Sequence, residues 1–195
     1  MVGNIWAQIQ EFDESLFHLI NEKWANPWLD LILPWTREKL IWVPLYVVLV
    51  FYWVRKYKMQ GFYWVLILAA LVGLSDLISA HFIKIYVHRL RPCQNLHWLH
   101  PIISRIPCGT GFSFVSSHAS NHFTIAAFTA IGFRKRLSWL EPCLYLWAGL
   151  ISYAQVYVGV HYPLDVLSGA LLGLVIGWTG AYFTWRHYPS QELTS

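Results

Sequence analysis

The chain has 195 residues, 12% charged and 56% hydrophobic, with a mean hydropathy of +0.42 and a formal net charge of +4. Soluble domains carry roughly a quarter charged residues, so 14 Lys and Arg with 10 Asp and Glu give too little polar surface to coat a water-soluble particle of this size. The same apolar content excludes disorder, and basic residues that are few and scattered exclude a nucleic-acid partner.

Residues 3–35 mix Trp, Leu, Ile and Phe with Glu11, Asp13, Glu14, Glu22, Lys23 and Asp30, so no clean span appears. The pattern predicts a pair of interfacial amphipathic helices within residues 1–39. No basic n-region or small-residue cleavage site marks a removed signal peptide. Five later segments approach the roughly 20 apolar residues that a spanning helix requires: approximately 40–54, 61–83, 114–133, 139–158 and 163–185. The expected fold is an all-α integral membrane bundle in one domain, with a core over residues 40–185 and a cytoplasmic tail over 186–195.

Arg55, Lys56 and Lys58 crowd the turn between the first two spans, and Arg134, Lys135 and Arg136 that between the third and fourth. Dense positive charge in short turns faces the cytoplasm. Seven of the 14 Lys and Arg fall on each side, so the orientation rests on this density rather than on the count. It places the N-terminal region, residues 84–113 and the loop around His161 outside a bacterial inner membrane. A connection as long as 84–113, rich in His, Pro and Arg, is usually functional. Cys93 and Cys108 flank this loop and, in an oxidising compartment, are expected to pair, leaving Cys143 inert in a span.

Polar groups are costly in such a chain, and three sets of them fall at one outer level. Lys84 and Arg91 lie where the second span ends, Ser116, Ser117 and His118 where the third begins, and His161 and Asp165 where the fifth begins. Lys and Arg suit phosphate oxygens. Ser116 or Ser117 as N-cap, and Pro163 at a first helical position, would aim two positive helix starts at the same anion. Asp165 can hold one imidazole nitrogen of His161 and leave the other as a nucleophile, with His118 as general acid for the leaving group.

Residues 84–92 read K-x6-R-P, residues 115–118 V-S-S-H, and residues 154–165 A-Q-x5-H-x3-D. In order and interval these resemble the signature of the type 2 phosphatidic acid phosphatase family, K-x6-R-P, P-S-G-H and S-R-x5-H-x3-D, at seven of eleven positions: Lys84, Arg91, Pro92, Ser116, His118, His161 and Asp165. The resemblance implies a metal-independent membrane lipid phosphatase without cofactor, in which His161 forms a phosphohistidine, Asp165 orients it and His118 protonates the leaving oxygen. Lys84, Arg91, Ser116, Ser117 and Gln155 would bind the phosphate. Val115, Ser117 and Ala154 depart from the signature, as does Gln155, which replaces its Arg and removes a full charge that Arg89 or His88 could restore. Undecaprenyl pyrophosphate is the expected substrate, with phosphatidylglycerol phosphate, phosphatidic acid and lipid A phosphates as alternatives.

Two other readings stand beside this one. His118 and His122, four apart on a helix, would form a tetrahedral zinc set with His161 and Asp165. Gln155 could instead mark a non-catalytic lipid-phosphate binder or transporter. Asp76 is expected to point into the bundle, and Gly169, Gly173 and Gly177 to serve close helix packing, either internally or in a homo-oligomer.

Overall fold

A computed structural model describes residues 2–95, 102–133 and 137–187, and among these every regular element is helical. The basic turn at 134–136 and the tail from 188 onward lie outside the described residues. Helix α1 (Val2–His18) runs into a π-helical turn (Leu19–Lys23), and α2 (Pro27–Thr36) starts at Asn26, whose side chain accepts the Leu29 N–H at 3.0 Å. Phe17, Ile20 and Leu33 from this pair are buried with Tyr157, Val158, Val160 and Tyr162. The expected helix pair is therefore present and docked on protein, while Ile5, Trp6, Phe12, Trp28 and Trp35 remain exposed on its outer side.

A short 3-10 turn (Lys39–Trp42) leads into α3 (Val43–Asp76), which breaks at Lys58 (φ 51°, ψ −124°). Across the break the chain folds back, so that Trp64 meets Trp53 (ring centroids 6.1 Å apart) and Tyr57 (4.6 Å). The second arm continues through a π-helical segment (Leu77–Ile83) into α4 (Lys84–Val87), where His88 adopts a left-handed conformation (φ 52°) and ends the helix. Among the described residues two stretches, Lys39–Gln94 and Pro163–His187, are long and apolar enough to cross a membrane. The other two apolar segments form α5 (Ser117–Phe133) and α6 (Leu140–Tyr157); α5 buries Ser120, His122, Thr124 and Thr129, which lower its hydropathy. Leu146, Leu171, Val175, Tyr182 and Phe183 face outward, a surface suited to lipid.

Central α5 packs against α7 (Pro163–His187), α6 and α3. A Cβ at Gly169, Gly173 or Gly177 would run into the carbonyl oxygens of Ser116, Ser120 and Thr124, so the glycine stripe closes the α5–α7 interface inside the bundle. The turn from α6 to α7 passes through Gly159 (φ 91°), a backbone conformation that a side chain would strain. His161 is delivered by that turn.

Candidate active site

Each sequence-selected residue owes its place to a helix end. Helix α5 begins one residue after Ser116, whose Oγ accepts the Ala119 N–H at 3.4 Å and whose own N–H donates to the Asp165 carbonyl at 2.9 Å. Ser116 is thus the N-cap, and its fully buried side chain serves the helix start rather than an open pocket. Ser117 accepts from the Ser79 hydroxyl at 2.9 Å. At the other helix start, Asp165 Oδ2 reaches back to accept the Tyr162 N–H at 2.9 Å, the reciprocal half of a capping box. The first turns of α5 and α7 are joined through Ser116 and Asp165, which places two helix N-termini together.

The turn after α4 sends Arg91 over the α6–α7 loop. Its guanidinium donates to the Val160 carbonyl at 3.2 Å and to the Gly111 carbonyl at 3.3 Å, and Nη1 lies 3.4 Å from His161 Nε2. Lys84 sits within electrostatic reach of Arg91 and Asp165. On the other side of the ring, His161 Nδ1 lies 3.5 Å from Asp165 Oδ2, too long for a working hydrogen bond, so the resting pair is aligned without being locked. Burial lowers His161 from 6.5 to about 4 despite Asp165, which keeps the imidazole neutral at pH 7 and leaves one ring nitrogen unprotonated.

Arg89 does not restore the charge missing at Gln155. Its Nη1 donates to Asp165 Oδ1 at 2.8 Å and its Nη2 to Asp13 Oδ2 at 2.6 Å, while its plane stacks 3.9 Å from the Tyr162 ring centre. Asp13 Oδ1 accepts the Leu164 N–H at 2.8 Å, so α1 is tied directly to the start of α7. His88, at the end of α4, packs its ring edge-on against Phe112, 4.5 Å away. Gln155 is fully buried, with neither side-chain amide atom hydrogen-bonded, while its backbone carbonyl accepts the His161 backbone N–H at 3.2 Å.

The zinc set does not assemble. His122 is engaged at both nitrogens, by the His118 carbonyl at 2.8 Å and the Tyr46 hydroxyl at 3.2 Å, and Asp165 is held by Arg89. No group of three or more His, Cys, Asp or Glu among the described residues is arranged to hold a metal ion. His118 instead opens onto a cavity of about 230 Å3 lined also by Ser117, Asn121, Asp76 and Lys39. Asp76 Oδ1 accepts the Asn121 side-chain N–H at 3.0 Å there, consistent with its expected inward direction.

Cys93 and Cys108 form a disulfide with Cα atoms 5.8 Å apart, and Cys143 is a free thiol. Gln94 adds a bond to the Gly109 carbonyl at 2.9 Å, so the loop is fastened immediately beside Arg91. The cluster offers cationic donors, the N-terminus of α5 and a neutral buried imidazole between a guanidinium and a carboxylate, while a second imidazole, that of His118, lines the neighbouring cavity. It is equipped to bind a phosphoryl group and to transfer it through nitrogen.

Residues 63–189 match the family model described as the PAP2 superfamily. The lipid A 4'-phosphatase of Bacteroides thetaiotaomicron is 33% identical over 156 residues, covering 78% of this chain and 68% of that protein. The undecaprenyl-diphosphatase of Sulfolobus acidocaldarius is 29% identical over 165 residues, covering 83% and 73%. Among solved structures, Aquifex aeolicus LpxE superposes with a TM-score of 0.64 at 27% identity over 86% of this chain and 93% of that one. The PAP2-type phosphatidylglycerolphosphate phosphatase of Bacillus subtilis shares the fold with a TM-score of 0.69 at 23% identity, covering 92% and 87%.

Proposed function

Starting from the fact that this chain belongs to the PAP2 superfamily, a family of phosphatases, we propose that it hydrolyses the phosphate of a membrane lipid through a phosphohistidine on His161. The observation that carries this reading is the neutral, buried His161, with Arg91 3.4 Å from Nε2 and Asp165 3.5 Å from Nδ1. The Nε2 lone pair attacks phosphorus, the P–O bond to the leaving group breaks, and that oxygen takes a proton from His118. Water then gives a proton back to His118 and attacks phosphorus, and the P–N bond breaks to release inorganic phosphate. Lys84, Arg91, Ser117, the N-terminus of α5 and the Gln155 amide stabilise the charge on the transferred group. No step needs a metal or cofactor.

The lipid chain follows from the cavity at His118. Tyr46 and Ile125 line both that cavity and an apolar groove of about 220 Å3 between α3, α5 and α6. For the head group, Asp76 and Asn121 on the leaving-group side suit hydroxyls, and the Asp76 carboxylate opposes the attraction that Lys39 in the same lining has for a second anionic phosphate. A sugar-borne phosphate monoester of the lipid A type therefore ranks first, in keeping with the substrate named for the Bacteroides relative. Undecaprenyl pyrophosphate ranks second, supported by the archaeal relative. The reaction is placed at the outer face of a bacterial inner membrane, in keeping with the basic turn at Arg55–Lys58 and the disulfide beside Arg91.

Phosphate release by purified protein in EDTA, measured on lipid A and on undecaprenyl pyrophosphate, tests the reading. The expected result is turnover of both, with higher kcat/KM on the monoester, and Asp76→Asn shifting preference toward the diphosphate. Absence of turnover on any lipid phosphate would contradict it.

A further inference from the structure

Asp13 belongs to none of the three motifs, yet its side chain is completely buried beside one that is 20% exposed, Arg89, and it joins three parts of the site. One oxygen satisfies the Leu164 N–H, an otherwise orphaned donor in the first turn of α7. The other takes Arg89 Nη2, leaving only Nη1 for Asp165 Oδ1. This division matters because an unshared guanidinium takes a carboxylate by two parallel bonds. Such a grip would draw both oxygens of Asp165 to Arg89 and away from His161. With Asp13 holding half of the fork, Asp165 Oδ2 stays on the Tyr162 N–H, 3.5 Å from His161 Nδ1. Phe17, one helical turn beyond Asp13, packs 5.6 Å from the Tyr162 ring and fixes α1 in this register.

We propose that Asp13 is a positioning residue for the nucleophile, acting through Arg89 on Asp165, and that α1 is thereby part of the catalytic apparatus. The proposal rests on the reading of His161 as nucleophile. Asp13→Asn keeps the side-chain volume and an acceptor for Leu164 but removes the charge that holds Arg89, and Arg89→Lys keeps a charge that can no longer span two carboxylates. Each variant, purified as the full chain in detergent, is expected to lower kcat at least tenfold, to leave KM within twofold, and to weaken orthovanadate inhibition by a factor similar to the loss in kcat. Vanadate adopts the five-coordinate geometry of the transition state, so it senses nucleophile placement where ground-state binding does not. The double variant should be no more than about twofold slower than the worse single one, because both act through one contact.

A purely structural role would lower the active fraction and leave the vanadate constant unchanged, and that result overturns the proposal. So does a multiplicative double variant, or wild-type kcat in either single. Arg89→Lys carries the test if Asp13→Asn does not fold. His161→Ala is measured in parallel: its retention of turnover would overturn the nucleophile assignment itself, whereas an inactive His161→Ala beside a fully active Asp13→Asn overturns the positioning role alone.

Discussion

Gln155 stands where the family signature has Arg, and its amide is buried with both polar atoms unpartnered. An unsatisfied buried polar group costs about 1–3 kcal/mol, and an apolar residue of similar shape relieves that cost. Gln155→Leu should therefore stabilise the anion-free protein by about 1–3 kcal/mol. It should also remove a donor to the phosphoryl oxygens, and a hydrogen bond to a charged acceptor contributes ~1.5–3 kcal/mol, so the vanadate inhibition constant should rise about tenfold or more. Gln155→Arg should do the reverse. Its guanidinium tightens vanadate binding, but without an anion it is a buried unpaired charge, which costs several kcal/mol. Thermal unfolding in detergent, with and without orthovanadate, reads both effects. A lower melting temperature for Gln155→Leu without vanadate would refute the unpartnered burial of this amide, and an unchanged vanadate response in both variants would refute its placement in the phosphate site.

Gly173→Leu should separate α5 from α7, because even a Cβ meets the Ser120 carbonyl; overpacking costs ~1–3 kcal/mol or more, and a melting temperature equal to wild type would contradict the packing role. Thiol labelling of denatured, unreduced protein should modify Cys143 alone, and reduction should lower stability by ~3 kcal/mol, the chain-entropy value for a loop of about 15 residues; labelling of all three cysteines would remove the bridge. Burial depresses His161 from 6.5 to about 4, so the unfolded chain binds its proton more readily between those values. Its stabilising contribution, ~3 kcal/mol at most, is complete above pH 6.5 and is lost as pH falls toward 4. His161→Gln should flatten that stretch of the stability profile, and an unchanged profile would show that His161 does not titrate there.

Lys84, Arg91, His118, His161 and Asp165 stand out in the sequence as candidates because their types are costly in an apolar chain and their spacing puts each near a helix end. The structure brings Arg91, His161 and Asp165 into contact range, as that spacing implied. The helix boundaries were less legible. The third apolar run begins near residue 114 in the sequence, but Ser116 caps a helix starting at Ser117, since a capping hydroxyl fixes a boundary that hydropathy averages over. Arg89 was readable only as a nearby charge, because its role depends on two carboxylates distant in sequence. Asp13 carried a signal of its own: Asp13, Phe17, Ile20 and Asn21 share one helical stripe, and all four are buried. Polar residues on the apolar stripe of an amphipathic helix point to partners elsewhere in the fold. Asn21 bears this out, donating to the Tyr157 and Ile103 carbonyls at 2.8 and 3.0 Å.

The most direct test of the account is to trap the intermediate. Purified protein is mixed briefly with lipid substrate labelled with radioactive phosphorus on the transferred phosphate, quenched in alkali and freed of lipid. The account predicts label on the protein that survives alkali, is released by acid as a phosphoramidate should be, and is absent from His161→Ala. Label that persists in His161→Ala, or rapid turnover with no protein-bound phosphate at any mixing time, would contradict it.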